Sequence, residues 1–354
     1  MYEILGKEKY DEYEEFAKNH VNGTFTQSIR WGECKKDNWE QAVVVSRGED
    51  GKIRGGMAVL MRQLPGIHKK LLYAPRGPIF DYDDEETFSD LVEGAKELAK
   101  KEKGFLFKMD PMVDNDNDAF IAMAKKYGFN YDPNQGDGHT FQRRCNYMKP
   151  LEEFNGDEEK LIGSFDKRWR YNIRFSARKG VTCEVYDTPE ALHDFHKIYV
   201  ETAKRDDYTP RSEEYLAGFL KALGDYARLY MCYYEGVPLA GGIATNFAGK
   251  VCHVYGASGS EYRDLKASHL MHWPIMCWAL ETGCSVYDFQ GIPMDYESGN
   301  DHMQGVYEFK KGSKGVVKLF TGEFDLVFDH VAKAAYDLAE RAHAVRKKLG
   351  RKLS

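Results

Sequence analysis

The same order of predicted elements occurs twice along this chain. In each half, hydrophobic periodicity predicts two helices, three strands, a helix and a strand. An internal repeat of this kind indicates that one unit of helices and strands has been duplicated. The chain has 354 residues, more than one hydrophobic core usually organises, so we expect two domains. The predicted ranges are 8–19, 27–36, 40–46, 53–63, 71–74, 85–102 and 105–107 in the first half, and 189–205, 212–223, 227–235, 239–247, 250–256, 267–282 and 285–289 in the second.

The segments outside the repeat determine the predicted domain boundaries. They are a helix at 117–127, a strand near 140–148, a helix near 157–179, a strand at 316–328 and a final helix at 329–349. We expect the last strand and helix to return to the first domain. The first domain is then predicted to comprise 1–147 plus 316–354, and the second 148–315.

One local basic patch stands out in a chain whose net charge is −6. The overall charge excludes a generally basic nucleic-acid binder, so a polyanion site must be local. Between 166 and 180, cations alternate with Trp169, Tyr171 and Phe175. This pattern suits phosphate contacts and stacking on an unpaired strand, although an exposed amphipathic helix with Trp169 and Phe175 partly in the core explains it as well. The cations are Lys167, Arg168, Arg170, Arg174, Arg178 and Lys179.

The cysteines and histidines give no metal signature. Seven cysteines are scattered and never spaced as Cys-x-x-Cys, which argues against a disulfide framework and a zinc site. The pairs His193/His196 and His269/His272 lack an accompanying carboxylate in zincin order. We therefore expect reduced thiols and no metal. The start of the chain lacks a signal pattern and no apolar run of about 18 residues occurs, which predicts a soluble cytoplasmic protein.

An aromatic–lysine pair near the end of the chain is the leading candidate for chemistry. Phe309 and Lys310 follow the apolar run 286–289 and the turn 290–293, and precede the last predicted strand. A strand end, a turn and this pair would place one cation at the floor of a cleft. The alternative is a solvated lysine at the start of a helix, because charged side chains are mostly exposed.

Several segments, taken in order, resemble the FemABX family of peptidoglycan-bridge aminoacyltransferases. The match covers nearly the whole chain, and the ordered series is far more specific than any one piece. The segments are Thr26-Gln27, Trp31-Gly32 with Lys35, Tyr73-Ala74-Pro75-Arg76-Gly77-Pro78, Asp110-Pro111, the basic helix 166–179, Arg211 with Tyr215, Tyr255-Gly256-Ala257-Ser258, Tyr287-Asp288, Phe309-Lys310 and Gly322-Glu323-Phe324-Asp325.

The resemblance implies an α+β fold of two tandem domains with mixed sheets. Each domain would be similar to the GNAT class of acyltransferases, with the substrate cleft at and beside the domain interface. The implied activity is transfer of an amino acid from aminoacyl-tRNA, the co-substrate, to the stem-peptide amine of a peptidoglycan precursor, with no further cofactor. The first domain would bind the muropeptide and the second the tRNA.

The acceptor is left open by the resemblance. Family members that build glycine bridges carry a long helical hairpin in the second domain, where this chain has only short connections. The chain is therefore closer to the shorter FemX type, which acts on the soluble UDP-linked muropeptide. Lipid II, with a peripheral membrane contact, is the other acceptor. The amino acid transferred and the oligomeric state are not given by the sequence.

The resemblance also assigns roles to single residues. Lys310 and Phe309 would be catalytic, with Lys310 facing the tRNA 3′ end and the tetrahedral oxyanion. Lys35 and Arg211 would bind the diphosphate, and the basic helix would bind tRNA. Tyr215 and Tyr255 would supply hydroxyl groups. Lys36 competes with Lys35, because the spacing from Trp31 to Trp39 is one residue longer than expected. Surface charge for Lys35 and core positions for the two tyrosines are the alternatives.

Asp110 is a further catalytic candidate. At a strand end before Pro111, its carboxylate could accept a proton from the attacking amine, or it could stabilise a turn.

Two rival functions stay open. The first rival is an acyl-CoA-dependent N-acyltransferase, which needs a glycine-rich loop at the start of a helix to bind pyrophosphate. The nearest sequence, 135–140, lacks the last small residue. The second rival is a non-catalytic protein that binds tRNA or the precursor.

Overall fold

The computed structural model describes residues 1–66, 68–136, 140–299 and 303–353, with side chains up to residue 342. The described part forms two compact units. The first contains 1–22, 26–135 and the chain from 320 onward, and the second contains 23–25 and 136–319. Each unit has its own seven-stranded mixed sheet and its own hydrophobic core.

The described residues form the following helices and strands. The helices are α1 (Tyr10–Asn19), α2 (Ile29–Lys35), α3 (Glu85–Glu102), α4 (Asp118–Lys126), α5 (Glu158–Ser164), α6 (Lys167–Arg178), α7 (Pro189–Arg205), α8 (Glu213–Leu223), α9 (Ala267–Glu281), α10 (Gln304–Lys311) and α11 (His330–Leu353). The strands are β1 (Tyr2–Ile4), β2 (Glu40–Arg47), β3 (Ile53–Gln63), β4 (Lys70–Ala74), β5 (Gly104–Met109), β6 (Asn130–Tyr131), β7 (Cys145–Pro150), β8 (Thr182–Tyr186), β9 (Ala227–Tyr234), β10 (Val237–Phe247), β11 (Lys250–Ser258), β12 (Val286–Gly291), β13 (Val316–Leu319) and β14 (Phe324–Val327).

The first unit is a sheet in the order β1-β2-β3-β4-β5-β14-β6. Strands β4 and β5 are parallel and end together, with Ala74 opposite Met109. Helix α3 packs on β2, β3 and β5, and buries Phe88 against Phe80 and Phe120. The two parallel carboxyl ends therefore deliver the residues that follow them, Arg76 and Asp110, to one edge of the sheet.

The second unit is a sheet in the order β13-β7-β12-β11-β10-β9-β8. Helices cover both faces, because the neighbouring residues Gly241 and Gly242 face α7 and α9 respectively, through Phe195 and Met271. Strands β11 and β12 are parallel but pair only from Lys250 to Cys252, although β11 continues to Ser258. Their pairing ends there, and the candidate chemistry lies at the unpaired end of β12.

The repeat predicted from the sequence is present in both units. Helices α1 and α2, strands β2 to β4, helix α3 and strand β5 match α7, α8, β9 to β11, α9 and β12 in order. Helices 85–102 and 189–205 and strand 53–63 were predicted with the bounds that the structure has. The predicted α+β class is confirmed by two mixed sheets with packed helices.

Two of the predicted elements are wrong because a break was missed. The predicted helix 157–179 is two helices, since Asp166 has extended backbone and caps α6 by accepting a hydrogen bond from Trp169 N at 2.6 Å. The predicted strand 316–328 is two strands in different sheets, separated by a turn in which Gly322 has a φ of 91°. Strands β1, β6 and β8 were not predicted, and β7 begins at Cys145.

The unit boundaries differ from those predicted at 147/148 and 315/316. Strands β7 and β13 pair with each other, and β7 also pairs with β12, so both belong to the second sheet. Strand β14 pairs with β5, which returns the chain to the first unit. In the part of the chain that the structure describes, no helix is long and apolar enough to cross a membrane.

Candidate active site

Lys310 is a buried lysine in the last turn of α10. Only 8% of its surface is exposed, and it lies near the end of the helix. The alternative of a solvated lysine at the start of a helix is therefore wrong. Its Nζ donates hydrogen bonds to the carbonyl oxygens of Gln290 at 3.1 Å and Gly291 at 2.7 Å. An ammonium group has three N–H donors, so one of them is left for a further acceptor.

A tight turn at the end of β12 supplies those two carbonyl groups. Gln290 has a φ of 65°, a left-handed conformation that is uncommon outside glycine. The buried carboxylate of Asp288 stabilises it by accepting hydrogen bonds from Gln290 N at 2.7 Å and Gln290 Nε2 at 3.1 Å. Asn146 Nδ2 donates a third bond to Asp288, at 3.0 Å. Asp288 thus orients the backbone that binds Lys310.

Burial gives Lys310 an unusual protonation equilibrium. Desolvation lowers the pKa of its amine to about 7, and the nearby Arg143 lowers it further, while the carboxylate of Asp288 opposes the shift. Near pH 7 the lysine therefore changes readily between a cation and a neutral amine. A buried group with this property can stabilise developing negative charge or accept a proton.

Phe309 is fixed by an aromatic cluster from α6 and α9. Its ring centroid lies 4.8 Å from His269, 5.3 Å from Trp169 and 5.4 Å from His272. Trp169 Nε1 also donates a hydrogen bond to the carbonyl oxygen of Phe309 at 2.9 Å. These contacts fix the end of α10, and with it the adjacent Lys310.

The two histidines of this cluster, and the neighbouring His253 in β11, are neutral at pH 7. Burial lowers the pKa of His253 to about 3 and that of His269 to about 4, and it holds the pKa of His272 well below its usual range. The His253 and His272 rings are 4.6 Å apart, and His272 Nδ1 is hydrogen-bonded to Tyr287 Oη at 2.7 Å. Because these rings are neutral, they do not offset the charge of the buried amine, whereas the Asp288 carboxylate does.

Arg211, Tyr215 and Tyr255, predicted as substrate-binding residues, lie together in the second unit. The Arg211 guanidinium lies 5.2 Å from the centroid of the Tyr215 ring, and Tyr255 Oη donates to Tyr215 Oη at 3.4 Å. Both tyrosines are half-buried rather than core residues. Tyr199, which the sequence analysis missed, extends the group, with its ring 6.2 Å from Tyr255.

Lys35 and Lys36 lie at the end of α2 in the first unit. Lys35 Nζ lies 4.0 Å from the centroid of the buried Trp31 ring, whereas Lys36 is exposed and 3.6 Å from Glu33. The indole fixes the direction of the Lys35 side chain, and the acidic neighbour partly neutralises Lys36. These contacts favour Lys35 as the phosphate-binding cation of the two.

Asp110 is buried at the edge of the first sheet, where it accepts two hydrogen bonds. The donors are Arg76 N at 2.6 Å and Tyr73 Oη at 3.0 Å. Burial raises the pKa of its carboxyl group to about 7, and the Arg76 charge opposes this shift. The hydrogen bonds hold the turn after β4, where Arg76 has a φ of 57°. This geometry favours the turn-stabilising role, and proton acceptance from an amine stays a prediction.

The basic helix α6 is amphipathic, and four of its residues form an outward stripe. Lys167, Tyr171, Arg174 and Arg178 are exposed at helical spacing, while Trp169, Asn172, Ile173 and Ser176 are buried. The Tyr171 and Phe175 rings are stacked, with centroids 5.6 Å apart.

Arg170 lies beside the stripe and is committed to the fold. Its Nη1 donates to the carbonyl oxygens of Gly163 at 2.6 Å and Phe165 at 2.8 Å, which are at the end of α5. Arg174 lies 3.7 Å from the exposed Glu159. Arg168 is exposed and close enough to His269 to lower its pKa. The predicted tRNA-binding cations therefore divide into an exposed group and the structural Arg170.

Two other features were considered from the sequence, a metal site and a pyrophosphate-binding loop. Within the described ranges, no group of three or more His, Cys, Asp and Glu residues could hold a metal ion. The glycine-rich sequence at 135–140, compared above with a pyrophosphate loop, has residues 137–139 outside the described part of the chain.

A family model and several known proteins match this chain over nearly its whole length. The model of the FemAB family matches residues 9–235 and 232–342. The chain belongs to the FemAB family. The predicted membership is therefore confirmed, and FemAB membership together with the relatives identifies the chain as an aminoacyltransferase.

The similar proteins share both sequence and architecture with it. Lipid II:glycine glycyltransferases from Staphylococcus aureus strains USA300 and NCTC 8325 are 27% identical, over 97% of this chain and 97% of theirs. The alignment extends over 419 positions, so it includes residues without a counterpart in this chain. The crystal structure of FemX has a TM-score of 0.85 at 25% identity and covers 96% of this chain and 99% of that one. A tandem GNAT protein of clavulanic acid biosynthesis, with a TM-score of 0.53 at 10% identity, has the same fold.

Several residues of the site were missed by the sequence analysis. Asp288 appeared there only as part of a motif. Gln290 appeared only as part of a turn, because a left-handed glutamine has no sequence signature. His269 and His272 were considered as a metal pair, but the structure packs them against Phe309. An i, i+3 histidine pair on an otherwise apolar helix was the signal available.

Substitution of Asp110 separates its two possible roles. Because its folded pKa lies above its unfolded value of about 4, its contribution to stability falls as pH rises from about 4 to about 7. We expect Asp110→Asn to keep the bond from Arg76 N, to retain most of the transfer activity and to reduce that decline. Asp110→Ala should lower the free energy of unfolding by about 1–3 kcal/mol. Urea titrations from pH 4 to 8 and a transfer assay measure these effects.

The Asn variant is the decisive one, because its shape matches that of Asp110. A folded Asp110→Asn protein with an unchanged melting temperature and a transfer rate lowered at least about 100-fold, the lower end of the range for loss of a general base, would identify Asp110 as the proton acceptor.

Proposed function

We propose that this protein transfers an amino acid from aminoacyl-tRNA to the stem-peptide amine of a peptidoglycan precursor. The observation that carries the proposal is Lys310, a buried amine held by two backbone carbonyls beside Phe309, in a chain of the FemAB family. The names of the S. aureus relatives give lipid II as their substrate, which supports a peptidoglycan precursor as the acceptor here.

The chemistry requires alignment and charge stabilisation more than a nucleophilic side chain. An aminoacyl ester is already activated, and attack by an amine gives a tetrahedral oxyanion that expels the tRNA hydroxyl. Bringing amine and ester together can lower the barrier by about 7–11 kcal/mol, and one oxyanion donor can add about 3–4 kcal/mol. Lys310 has one N–H left after binding Gln290 and Gly291, and it would donate this hydrogen to the oxyanion.

The Lys310 cation would also assist the acceptor amine. A lysine-like amine has a reference pKa of about 10.4, so its deprotonation at pH 7 costs about 4.6 kcal/mol. A nearby positive charge lowers the pKa of another amine, because it disfavours a second cation. The same ammonium group would therefore favour both the attacking free amine and the oxyanion.

The second unit offers a surface for each substrate. For the acceptor, Arg211 would bind phosphate oxygens through its planar guanidinium while the hydroxyls of Tyr215 and Tyr255 donate or accept hydrogen bonds. For the donor, the exposed stripe of α6 would contact tRNA phosphates, and Tyr171 would stack on an unpaired base. Lys35, in the first unit, stays a predicted precursor-binding cation, and its side chain is oriented by the Trp31 ring.

The product identifies the reaction, the amino acid and the acceptor together. The protein is incubated with a mixed pool of aminoacyl-tRNAs and either UDP-muropeptide or lipid II, and the products are analysed by mass spectrometry. We expect one acceptor to gain the mass of a single amino-acid residue, and only when acylated tRNA is present. Transfer from acyl-CoA instead, or no new mass with either acceptor, would contradict the proposal.

Lys310 should control the decline of the rate at high pH. Because the proposed role needs the ammonium form and its pKa is about 7, kcat/KM should include a falling limb above about pH 7. Lys310→Met should lower kcat by about 100- to 1,000-fold, the range for loss of one oxyanion donor. Lys310→Arg stays charged, so any remaining activity should lack the falling limb at pH 7.

Binding measurements separate chemistry from folding in these variants. Calorimetric titration with the UDP-muropeptide should give the same Kd for the wild-type protein and Lys310→Met. An unchanged transfer rate in Lys310→Met would remove Lys310 from the mechanism, as would a falling limb that Lys310→Arg leaves in place.

The stripe of α6 should determine how steeply transfer depends on salt. Each cation–phosphate contact contributes about 0.7–0.9 to the slope of log affinity against log salt. In the described part of the chain, Lys167 and Arg178 are exposed and have no anionic partner. We expect the double variant Lys167→Gln, Arg178→Gln to reduce the slope of tRNA binding by about 1–2.

Two cations elsewhere in the second unit provide the control. Lys204 and Lys221 are exposed on α7 and α8, and the double variant Lys204→Gln, Lys221→Gln removes the same two charges. Fluorescence-anisotropy titrations of labelled tRNA at several salt concentrations measure the slopes. Equal reductions in the control and in the α6 double variant would assign the effect to overall charge and not to α6.

A further inference from the structure

Two cysteines face each other across neighbouring strands of the second sheet. Cys183 in β8 lies directly opposite Cys232 in β9 in the antiparallel register, and both are free thiols. Residues opposite each other in such a pair project from the same face of the sheet, with Cβ atoms about 4.5–5.5 Å apart. A disulfide needs about 3.5–4.5 Å between these atoms. A small approach of the two strands would therefore suffice to join them.

The two thiols already interact and differ in burial. Burial holds the pKa of the Cys232 thiol well above its usual range, and a hydrogen bond with Cys183 raises it further. The Cys232 side chain has no exposed surface, whereas Cys183 is half-buried. A reagent from solution therefore meets Cys183 first, and Cys232 is reached only through Cys183.

A cavity of about 350 Å³ leads to Cys183. Its walls are formed by β8, β9 and α9, and include the Tyr230, Trp273 and Trp278 side chains. The volume is in the range of sites that admit small organic molecules. Cys232 is not among the residues that line the cavity, which agrees with its position behind Cys183.

Strand β8 is able to move toward β9. It is at the edge of the sheet, where β9 is its only strand partner among the described residues, and Thr182, Glu184 and Val185 are exposed. An edge strand has fewer packing constraints than a central one, so a shift of a fraction of an ångström costs little.

We propose that Cys183 and Cys232 are a redox modification site. The two residues become joined by a disulfide bond, and the oxidant is a low-molecular-weight disulfide. The Cys183 thiolate attacks one sulfur of the reagent, which gives a mixed disulfide and releases one thiol. Cys232 then loses its proton and attacks the Cys183 sulfur, which gives the Cys183–Cys232 bond and releases the second thiol. The two protein thiols are oxidised, and the reagent is reduced to two thiols.

Cys277 is an internal control for this reaction, because it lines the same cavity from α9. Burial and the neighbouring Glu158 hold the pKa of its thiol above its usual range, so little of it is thiolate near pH 7. The strand register aligns Cys183 with Cys232 and gives Cys277 no such alignment. Cys277 should therefore stay reduced while the other two react.

The test uses the folded full-length protein and a neutral probe, bis(2-hydroxyethyl) disulfide. Peptide mapping by mass spectrometry follows each cysteine separately. In the wild-type protein we expect a peptide that links Cys183 to Cys232 and lacks two hydrogens, and its reversal by dithiothreitol. In Cys232→Ser the reaction should stop at a mixed disulfide on Cys183, and in Cys183→Ser neither position should react.

The Cys277→Ser variant should form the same link as the wild-type protein. Melting curves of the reduced variants show that each is folded, and oxidation should raise the melting temperature of the wild-type protein alone among wild type, Cys183→Ser and Cys232→Ser. A mixed disulfide that persists on Cys183 in the wild-type protein would overturn the proposal. A Cys183–Cys277 link, or an unreactive Cys183, would overturn it too.

Discussion

The candidate site depends on one turn, in which Asp288 fixes the backbone of Gln290. A buried ammonium needs acceptors that do not move, and Lys310 obtains them from the carbonyl oxygens of Gln290 and Gly291. Those carbonyls are available because Gln290 has left-handed backbone, which the Asp288 carboxylate stabilises through two hydrogen bonds. The pairing of β12 with β11 ends at Cys252 and Asp288, just before this turn. Asp288 therefore affects the position of Lys310 through this turn, and its carboxylate also favours the ammonium form of the lysine.

The duplicated architecture explains why each unit has a buried carboxylate near the end of the same strand. Asp110 follows β5 and Asp288 lies in β12, and these strands have equivalent places in the two repeats. Each accepts a hydrogen bond from the backbone N–H of a left-handed residue, Arg76 or Gln290. Asp110 holds the turn after the neighbouring strand, whereas Asp288 holds the turn of its own strand. In the described residues, only the second of these turns binds a lysine ammonium.

The order of the elements could be predicted because each carries its own periodicity. Helix α7 has Pro189 at its start and a regular apolar face, and its bounds were predicted correctly. The breaks could not be predicted, because Asp166 and Gly322 end one element and begin another within a continuous hydrophobic pattern. Strand β8 was missed because it is an edge strand without a buried face.

Individual site residues could be predicted where a family motif contains them. They could not be predicted where their role depends only on tertiary packing. Lys310, Arg211 and Tyr255 were recognised by the order of the motifs around them. The turn geometry of Gln290 and the neutral state of His253 depend on burial, which arises only when distant elements meet. The Cys183–Cys232 pair is of the same kind, since strand register and not sequence spacing brings the thiols together.

The comparison of two buried lysines gives a physical reason to regard Lys310 as functional. Lys108 in the first unit is paired with Glu323 at 2.5 Å and Asp325 at 2.6 Å, and its pKa is raised although burial opposes this. Lys310 is bonded to neutral carbonyls, and burial lowers its pKa to about 7. Relative to an unfolded value of about 10.4, that shift corresponds to a cost of about 4–5 kcal/mol at low pH, which disappears as pH rises from about 7 to about 10.

A penalty of this size is large beside the total stability of a domain, about 5–15 kcal/mol. The structure shows that the fold can pair a buried lysine with carboxylates, because it does so at Lys108. At Lys310 the carboxylate of Asp288 is instead used by Gln290 and Asn146. A buried charge that is so weakly compensated lowers the stability of the fold, but it can stabilise negative charge that develops on a substrate. This is the property expected of a group that acts in a transition state.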